Sequence, residues 1–227
     1  MIWNNKYSYP RSNRSIINGV RKYMIGSETL PSVTSVLSNT KSSEELASLK
    51  LWEQRLGDRA KEIKKESSDR GNALHSYVEN YLKGRLNESF FENNEQYKKM
   101  ANEIITKGIK GRLSEIWGVE CNLYFPNKYA GQSDIIGIYD GEPTIIDLKQ
   151  TNKVKKHDWI QDYYLQISAY SLAHNEVYKT NIKQAVILMC SVDYIYQEFK
   201  IQNEVLETYQ NLFLGRLKKF NEKFSSN

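Results

Sequence analysis

Two short runs hold the residues of this chain best suited to chemistry. Asp134 stands in residues 132–139, and Asp147 and Lys149 stand in residues 144–150, with Asp140-Gly141-Glu142-Pro143 between the runs. Both runs read as strands. Asp-Gly between them is a hairpin signal, although Glu-Pro lengthens the connection beyond a two-residue turn. Side chains alternate along a strand, so Asp134, Ile136 and Ile138 share one face, and Ile145, Asp147 and Lys149 share another. Pairing with these faces together brings two carboxylates and an ammonium to one place. Oxygen donors of that kind suit a hard Mg²⁺ or Mn²⁺ ion. Such an ion, held against a phosphodiester, polarises the phosphoryl oxygen and acidifies a bound water. The Leu148 carbonyl offers a further oxygen, and Lys149 stands where it can orient the water or offset developing charge. The competing reading is a surface hairpin with charges on its wet face. Ile135, Ile136, Ile145, Ile146 and Leu148 weigh against it, because charges in a buried strand are costly unless paired or metal-bound.

The rest of the chain supplies the scaffold. Residues 1–30 are aromatic and polar, an arm or short strand pair with Tyr7, Tyr9 and Tyr23 packing on the body. Residues 32–38 open a short helix. Ser43 with Glu44-Glu45 starts another, whose apolar stripe is Leu46, Leu49 and Trp52. Gly57-Asp58 interrupts it, and a long helix spans 58–83 with a break near 67–71. Within that helix His75, Val78, Glu79 and Leu82 fall on one face, where periodicity alone makes His75 a hydrogen-bonded core residue. Residues 92–117 read as a further helix through Met100, Ile104, Ile109, Leu113 and Ile116, ended by Gly118. A first core strand follows at 119–125. Past the hairpin, Lys153, Lys155 and Lys156 form a basic loop that either is simply solvated or catches phosphates. Trp159, Tyr163 and Tyr164 open the next helix, as core or as stacking faces for single-stranded bases. Gln166 and Tyr170 lie one turn apart on it. A buried strand at 183–192, its antiparallel neighbour at 194–201 and a basic helix at 204–224 close the chain.

Asp134, the Ile-Asp-Leu-Lys run ending at Lys149 and Gln166-x-x-x-Tyr170 together resemble the PD-(D/E)xK nuclease pattern. More narrowly they are similar to its RecB-like branch, and most of all to the mitochondrial genome maintenance exonuclease and its phage relatives. Leu30-Pro31-Ser32-Val33-Thr34 and Arg70-Gly71-x-x-x-His75 extend the resemblance upstream, over roughly residues 30–175. One departure is that Ser133, not proline, precedes the first aspartate. The resemblance implies that His75 is a metal ligand beside Asp134, Asp147 and the Leu148 carbonyl. It implies that Glu120 is the leading glutamate of its strand, and that Gln166 and Tyr170 turn toward the centre. Glu79, one turn beyond His75, would orient that ring or bind water; a plain surface carboxylate is the alternative. Arg70 would grip a phosphate, or else is a helix-end charge. With Lys153, Lys155, Lys156, Trp159 and Tyr163 it makes up the expected DNA contacts.

Composition is consistent with this. The 227 residues carry 40% apolar and 26% charged side chains, ordinary for one globular domain, and the net charge of 32 − 27 = +5 favours a polyanionic partner. Cys121 and Cys190 are expected as buried thiols of a reducing compartment, and two cysteines cannot supply the four ligands of an iron–sulfur cluster. No run reaches membrane-spanning length, residues 185–190 being the longest wholly apolar one. The first fifteen residues lack a secretory signal, so a bacterial or phage-infected cytoplasm is expected ahead of the mitochondrial matrix.

The expected fold is α/β: a restriction-endonuclease-like mixed sheet flanked by helices, with a helical N-terminal half. One domain would comprise an arm (1–30), a helical part (31–117), a catalytic sheet core (118–202) and a closing helix (203–227). The expected function is an Mg²⁺- or Mn²⁺-dependent DNA exonuclease acting on single strands from a free end. No G-x-x-x-x-G-K-[ST] occurs, so unwinding would fall to a helicase or replication partner. An endonuclease with the same centre and an inactive DNA-binding module are the alternatives.

Overall fold

The computed structural model describes residues 1–87 and 95–225. In chain order its strands are β1 (Ile2–Trp3), β2 (Asn13–Ile17), β3 (Val20–Ile25), β4 (Glu28–Pro31), β5 (Leu113–Phe125), β6 (Tyr129–Tyr139), β7 (Glu142–Thr151), β8 (Gln184–Ser191) and β9 (Tyr196–Gln202). Its helices are α1 (Val33–Asn39), α2 (Ser43–Leu56), α3 (Asp58–Leu82), α4 (Glu95–Ile104), α5 (Gln161–Tyr178) and α6 (Asn203–Ser225). Six strands form one mixed sheet in the order β1-β5-β6-β7-β8-β9, and β2-β3-β4 form a separate antiparallel sheet. Helix α5 carries the chain from β7 to β8, which run parallel, as a crossover of that kind requires. The mixed α/β architecture with helices on both sides is the one expected.

Strand alternation builds two cores. Along β7, Ile145 packs toward α1, α5 and α6, while Ile146 and Leu148 pack toward α3 and α4. Strand β8 is buried at every position, because both its faces are covered. Asp147 and Lys149 therefore point to the α5 side of the sheet, beside Ile187 and Met189 of β8.

Four local expectations need correction. Tyr139 pairs with Glu142, so the hairpin turn is the two residues Asp140-Gly141, with φ of 51° and 86°. Positive φ at both positions fits a tight turn, and Pro143 is absorbed into β7 opposite Ile138. Helix α3 runs unbroken through 67–71. Helix α2 buries none of its residues, leaving Leu46 and Leu49 exposed. The helix read at 92–117 begins outside the described residues. It continues through α4 and a π-helical turn (Ile105–Ile109), then stops at Gly111, whose φ is 77°. Leu113, Ile116 and Trp117 are strand residues of β5. Two register shifts there, between Leu113 and Glu115 and between Ile116 and Gly118, break the period of two and mimic helical spacing.

The first thirty residues are more ordered than an arm. β1 pairs with β5, and Tyr7 and Tyr9 pack with Trp117, His174 and Tyr178. Cys190 is buried and Cys121 half-buried, and both are free. Among the described residues no helix is long and apolar enough to cross a membrane.

Candidate metal centre

A gap in the sheet makes the site. β6 pairs with β7 from Ile135↔Ile146 to the turn, and nearer its start it pairs with β5 and, through one bridge at Ala130, with Ser32. Leu148, two residues past Ile146, the last to pair with β6, is left with its N–H and C=O facing that gap, since both groups of a strand residue point to the same side. The N–H donates to Asp134 Oδ2 at 2.6 Å, and the C=O accepts from His75 Nε2 at 3.0 Å. Helix α3 delivers His75 there because Leu74, Tyr77, Val78 and Leu82, around it on the same helix, are buried against the sheet.

Glu120 completes the group. It lies between the pairs Val119↔Ile135 and Cys121↔Ser133, hence opposite Asp134, and it holds φ at 53° in the middle of a strand. A non-glycine residue in that region is a strained one. His75 Nδ1 lies 3.4 Å from both Glu120 Oε1 and Asp134 Oδ1. Donor atoms of His75, Glu120 and Asp134 all fall within 4.8 Å of one another. Glu120, expected beside the ligands, thus has its carboxylate in the same group of donor atoms as His75 and Asp134.

Asp147 adjoins this group from β7. Its Oδ1 accepts from Gln166 Nε2 at 3.0 Å, and Gln166 also reaches Tyr170 Oη at 3.3 Å. Its Oδ2 forms an ion pair with the Lys149 ammonium but has no aligned hydrogen-bond donor. Lys149 Nζ in turn sits 5.1 Å from the centre of the Tyr163 ring. Tyr170 is wedged against Gly131, where a β-carbon would come within 2.5 Å of its ring.

The electrostatics suit a cation. All three neighbours of the His75 ring are acceptors. Burial acts to lower its pKa, but the Asp134 and Glu120 carboxylates together outweigh burial and hold it well above the ordinary value. Burial also acts to raise Asp134, and His75 and Lys149 overcome that and keep it low. Asp147 is raised, by burial first and by Asp134 as well, against the pull of Lys149. Two carboxylates pushed apart in this way are short of positive charge. Oxygen and imidazole donors gathered beside a buried carboxylate suit a divalent ion.

Other expected residues lie elsewhere. Arg70 is 3% exposed, too deep to meet a phosphate. Its guanidinium donates to Gln150 Oε1 at 2.6 Å and to Asn152 Oδ1, fastening α3 to the end of β7. Glu79 lines the cleft but pairs with Lys83 at 2.5 Å, not with His75. Trp159 is exposed and near Lys156, Tyr164 is buried, and Lys153 and Lys156 lie on the surface. None of these four lines the cleft of about 550 Å³ in front of His75 and Asp134. What does line it was missed from sequence: Arg14 and Arg21 of the small sheet, and Ser32 and Thr34 at the start of α1. Their signal was faint. Two arginines in a polar arm have no period, although Thr34 belongs to a motif already singled out.

No protein-family model and no curated protein sequence matches the chain. Solved structures are similar at low identity. A candidate exonuclease from Eubacterium rectale aligns at 14% identity over 68% of each chain, with a TM-score of 0.45. An alkaline exonuclease from Laribacter hongkongensis aligns at 14% over 58% of this chain and 70% of its own, TM-score 0.34. A phage-related exonuclease from Haemophilus somnus aligns at 16% over 68% of this chain and 82% of its own, TM-score 0.34.

Proposed function

We propose that this protein is a divalent-metal-dependent deoxyribonuclease of the PD-(D/E)xK superfamily, in its RecB-like branch, that degrades single-stranded DNA from a free end. The observation that carries the reading is the convergence of His75, Glu120 and Asp134 with Asp147 and Lys149 around the backbone of Leu148, whose N–H and C=O meet side chains where β6 has parted from β7. His75, Glu120, Asp134, Asp147 and the Leu148 carbonyl would hold the ion. Bound there, Mg²⁺ or Mn²⁺ supplies Lewis acidity to a phosphoryl oxygen and lowers the pKa of a bound water.

The chain's own groups do the rest. Lys149 keeps an ammonium at the mouth of the gap, where it orients the attacking water and offsets charge gathering on the phosphoryl oxygens. Gln166 fixes the rotamer of Asp147, and Tyr170 fixes Gln166. Arg14 and Arg21 face the same cleft and would take flanking phosphates. Lys153, Lys155 and Lys156, with Trp159 exposed beside them, would add contacts outside it. Single-strand preference is supported by that pairing of a basic loop with a free aromatic face and by Tyr163 at Lys149.

The test offers end-labelled linear single strands, covalently closed circular single strands and a long blunt duplex, each with Mg²⁺ or Mn²⁺. Rapid loss of the linear strand alone is expected. Asp147→Asn and Lys149→Ala should abolish it while DNA binding persists. Cutting of the circle would make the enzyme an endonuclease. Activity within a few-fold of wild type in either variant would remove the assigned centre.

A further inference from the structure

Beyond the cleft, a second feature of the surface points to how the substrate strand is held. The cleft at His75 and Asp134 shares Arg21 and Thr34 with a groove of about 320 Å³ lined also by Ile16, Gly19, Ser35 and Ser38. That groove runs between the β2–β3 hairpin and α1. Its walls are fixed to each other: the Arg21 N–H donates to Ser35 Oγ at 3.0 Å, and the Ser32 N–H donates to Arg21 O at 2.9 Å. At the far end of α1 a third hollow, of about 360 Å³, begins at Asn39 and is lined by Thr40, Lys41, Ser42, Arg216, Lys219 and Lys223, with one carboxylate, Glu45, which lies 3.8 Å from the Lys41 ammonium. Thr34 and Ser38 are exposed one turn apart, on the side of α1 that runs toward Lys41.

The charges along this route are unequal in availability. Lys41 is taken up by Asp162 at 2.9 Å, and Arg216 by Thr40 Oγ1 at 2.6 Å and Leu37 O at 2.7 Å. Lys223 donates to Asn39 O at 3.2 Å and keeps two donors free. Among the described residues, Arg14, Arg21, Lys219 and Lys223 have no carboxylate partner. No carboxylate and no aromatic ring lines the middle groove. A channel with free cations at both ends, hydroxyls between and no stacking surface suits a phosphodiester backbone rather than bases.

We infer that the strand entering or leaving the centre lies along α1, its backbone passing from Arg14 and Arg21 over Thr34 and Ser38 to Lys219 and Lys223 of α6. This rests on the nuclease reading above and adds a binding track to it. The seven residues of α1 span about 10 Å at 1.5 Å each. The track therefore holds nucleotides remote from the reacting phosphate, without regard to sequence.

The experiment measures binding, not cleavage. Fluorescence anisotropy with labelled oligothymidylates of 4 and 12 nucleotides, in chelator and over a range of salt, gives the affinity gained with length. Lys219→Glu combined with Lys223→Glu should reduce that gain and lower the salt slope for the long probe by about 1.4, two contacts at about 0.7 each. Ser38→Glu, which sets an anion in mid-track, should also reduce the gain. Both sites are exposed, and circular dichroism checks that the variants fold. An unchanged length increment and slope would overturn the track while leaving the nuclease reading intact. So would an equal loss from Lys110→Glu with Lys179→Glu, cations outside all three hollows. Wild-type protein that binds neither probe would overturn both.

Discussion

Glu120 offers the sharpest test of how the site is built, because its backbone and its side chain pull stability in opposite directions. Its φ of 53° sits in the middle of β5, where an L-residue pays about 1–2 kcal/mol for the left-handed conformation. Glycine has no such penalty but loses about 0.5–1 kcal/mol of backbone entropy relative to alanine. At an ordinary strand position Gly is thus the worse residue. Here the difference reverses, and Glu120→Gly should be more stable than Glu120→Ala by about 0.5–1 kcal/mol. For a domain of this size that is a melting-point gap of roughly 1–4 °C. Both variants lose the carboxylate 3.4 Å from His75 Nδ1 and should lose metal affinity and cleavage alike. Thermal unfolding by circular dichroism, with urea midpoints as a check, reads the first quantity, and isothermal titration with Mn²⁺ reads the second. If Glu120→Ala equals or exceeds Glu120→Gly in stability, the strain argument is wrong. If either variant keeps wild-type metal affinity, Glu120 is no ligand.

Further outcomes follow from single contacts. Gly131→Ala puts a β-carbon within 2.5 Å of the Tyr170 ring, so it should cost about 1–3 kcal/mol of stability and lower kcat through Gln166 and Asp147. Unchanged unfolding and turnover would show that the ring moves freely. Arg70→Ala should destabilise by about 2–4 kcal/mol, because a buried guanidinium and its two oxygen partners are parted. Reduced DNA affinity with intact stability would instead make it a phosphate contact. Arg112 hydrogen-bonds Asp140 and, against burial and with help from Lys200, holds that carboxyl down at about 2, from an ordinary 3.8. A depressed carboxyl stabilises above its unfolded pKa, so urea midpoints should fall as pH drops from about 4 toward 2. Arg112→Ala should flatten that fall, and an identical pH profile would discount the pair.

Much of this arrangement could be read from residue types, and the failures have causes. The buried hairpin and the face shared by Asp134 and Asp147 follow from a period of two, and the common face of Gln166 and Tyr170 from a period of 3.6; that this face turns toward the carboxylates is implied by the resemblance alone. The start of β5 did not, because two bulges let Leu113, Ile116 and Trp117 imitate a helical stripe. The exposed leucines of α2 pattern like core residues, and nothing local says that no partner covers them. Arg70 looked available because a formal charge carries no label for burial; only the tertiary placement of Gln150 and Asn152 accounts for it. Arg14 and Arg21 reach the cleft through a small sheet whose docking on α1 depends on backbone bonds, which side-chain patterns do not encode.

The gap between β6 and β7 also decides how the site should be probed. An unpaired buried N–H or C=O costs about 1–3 kcal/mol, so leaving Leu148 open is tolerable only because Asp134 and His75 answer both groups. The residues that would bind the ion are therefore also the ones that close the sheet. Removing the Asp134 carboxylate by alanine orphans the Leu148 N–H, whereas Asp134→Asn keeps a carbonyl oxygen to accept it and discards only the charge. His75→Ala frees a carbonyl beside a cleft that water can enter, a smaller loss than in a dry core. Stability should thus fall more for Asp134→Ala than for Asp134→Asn, while both lose the ion. A site built by interrupting a sheet leaves this signature; one laid on a finished surface would show no difference between the two.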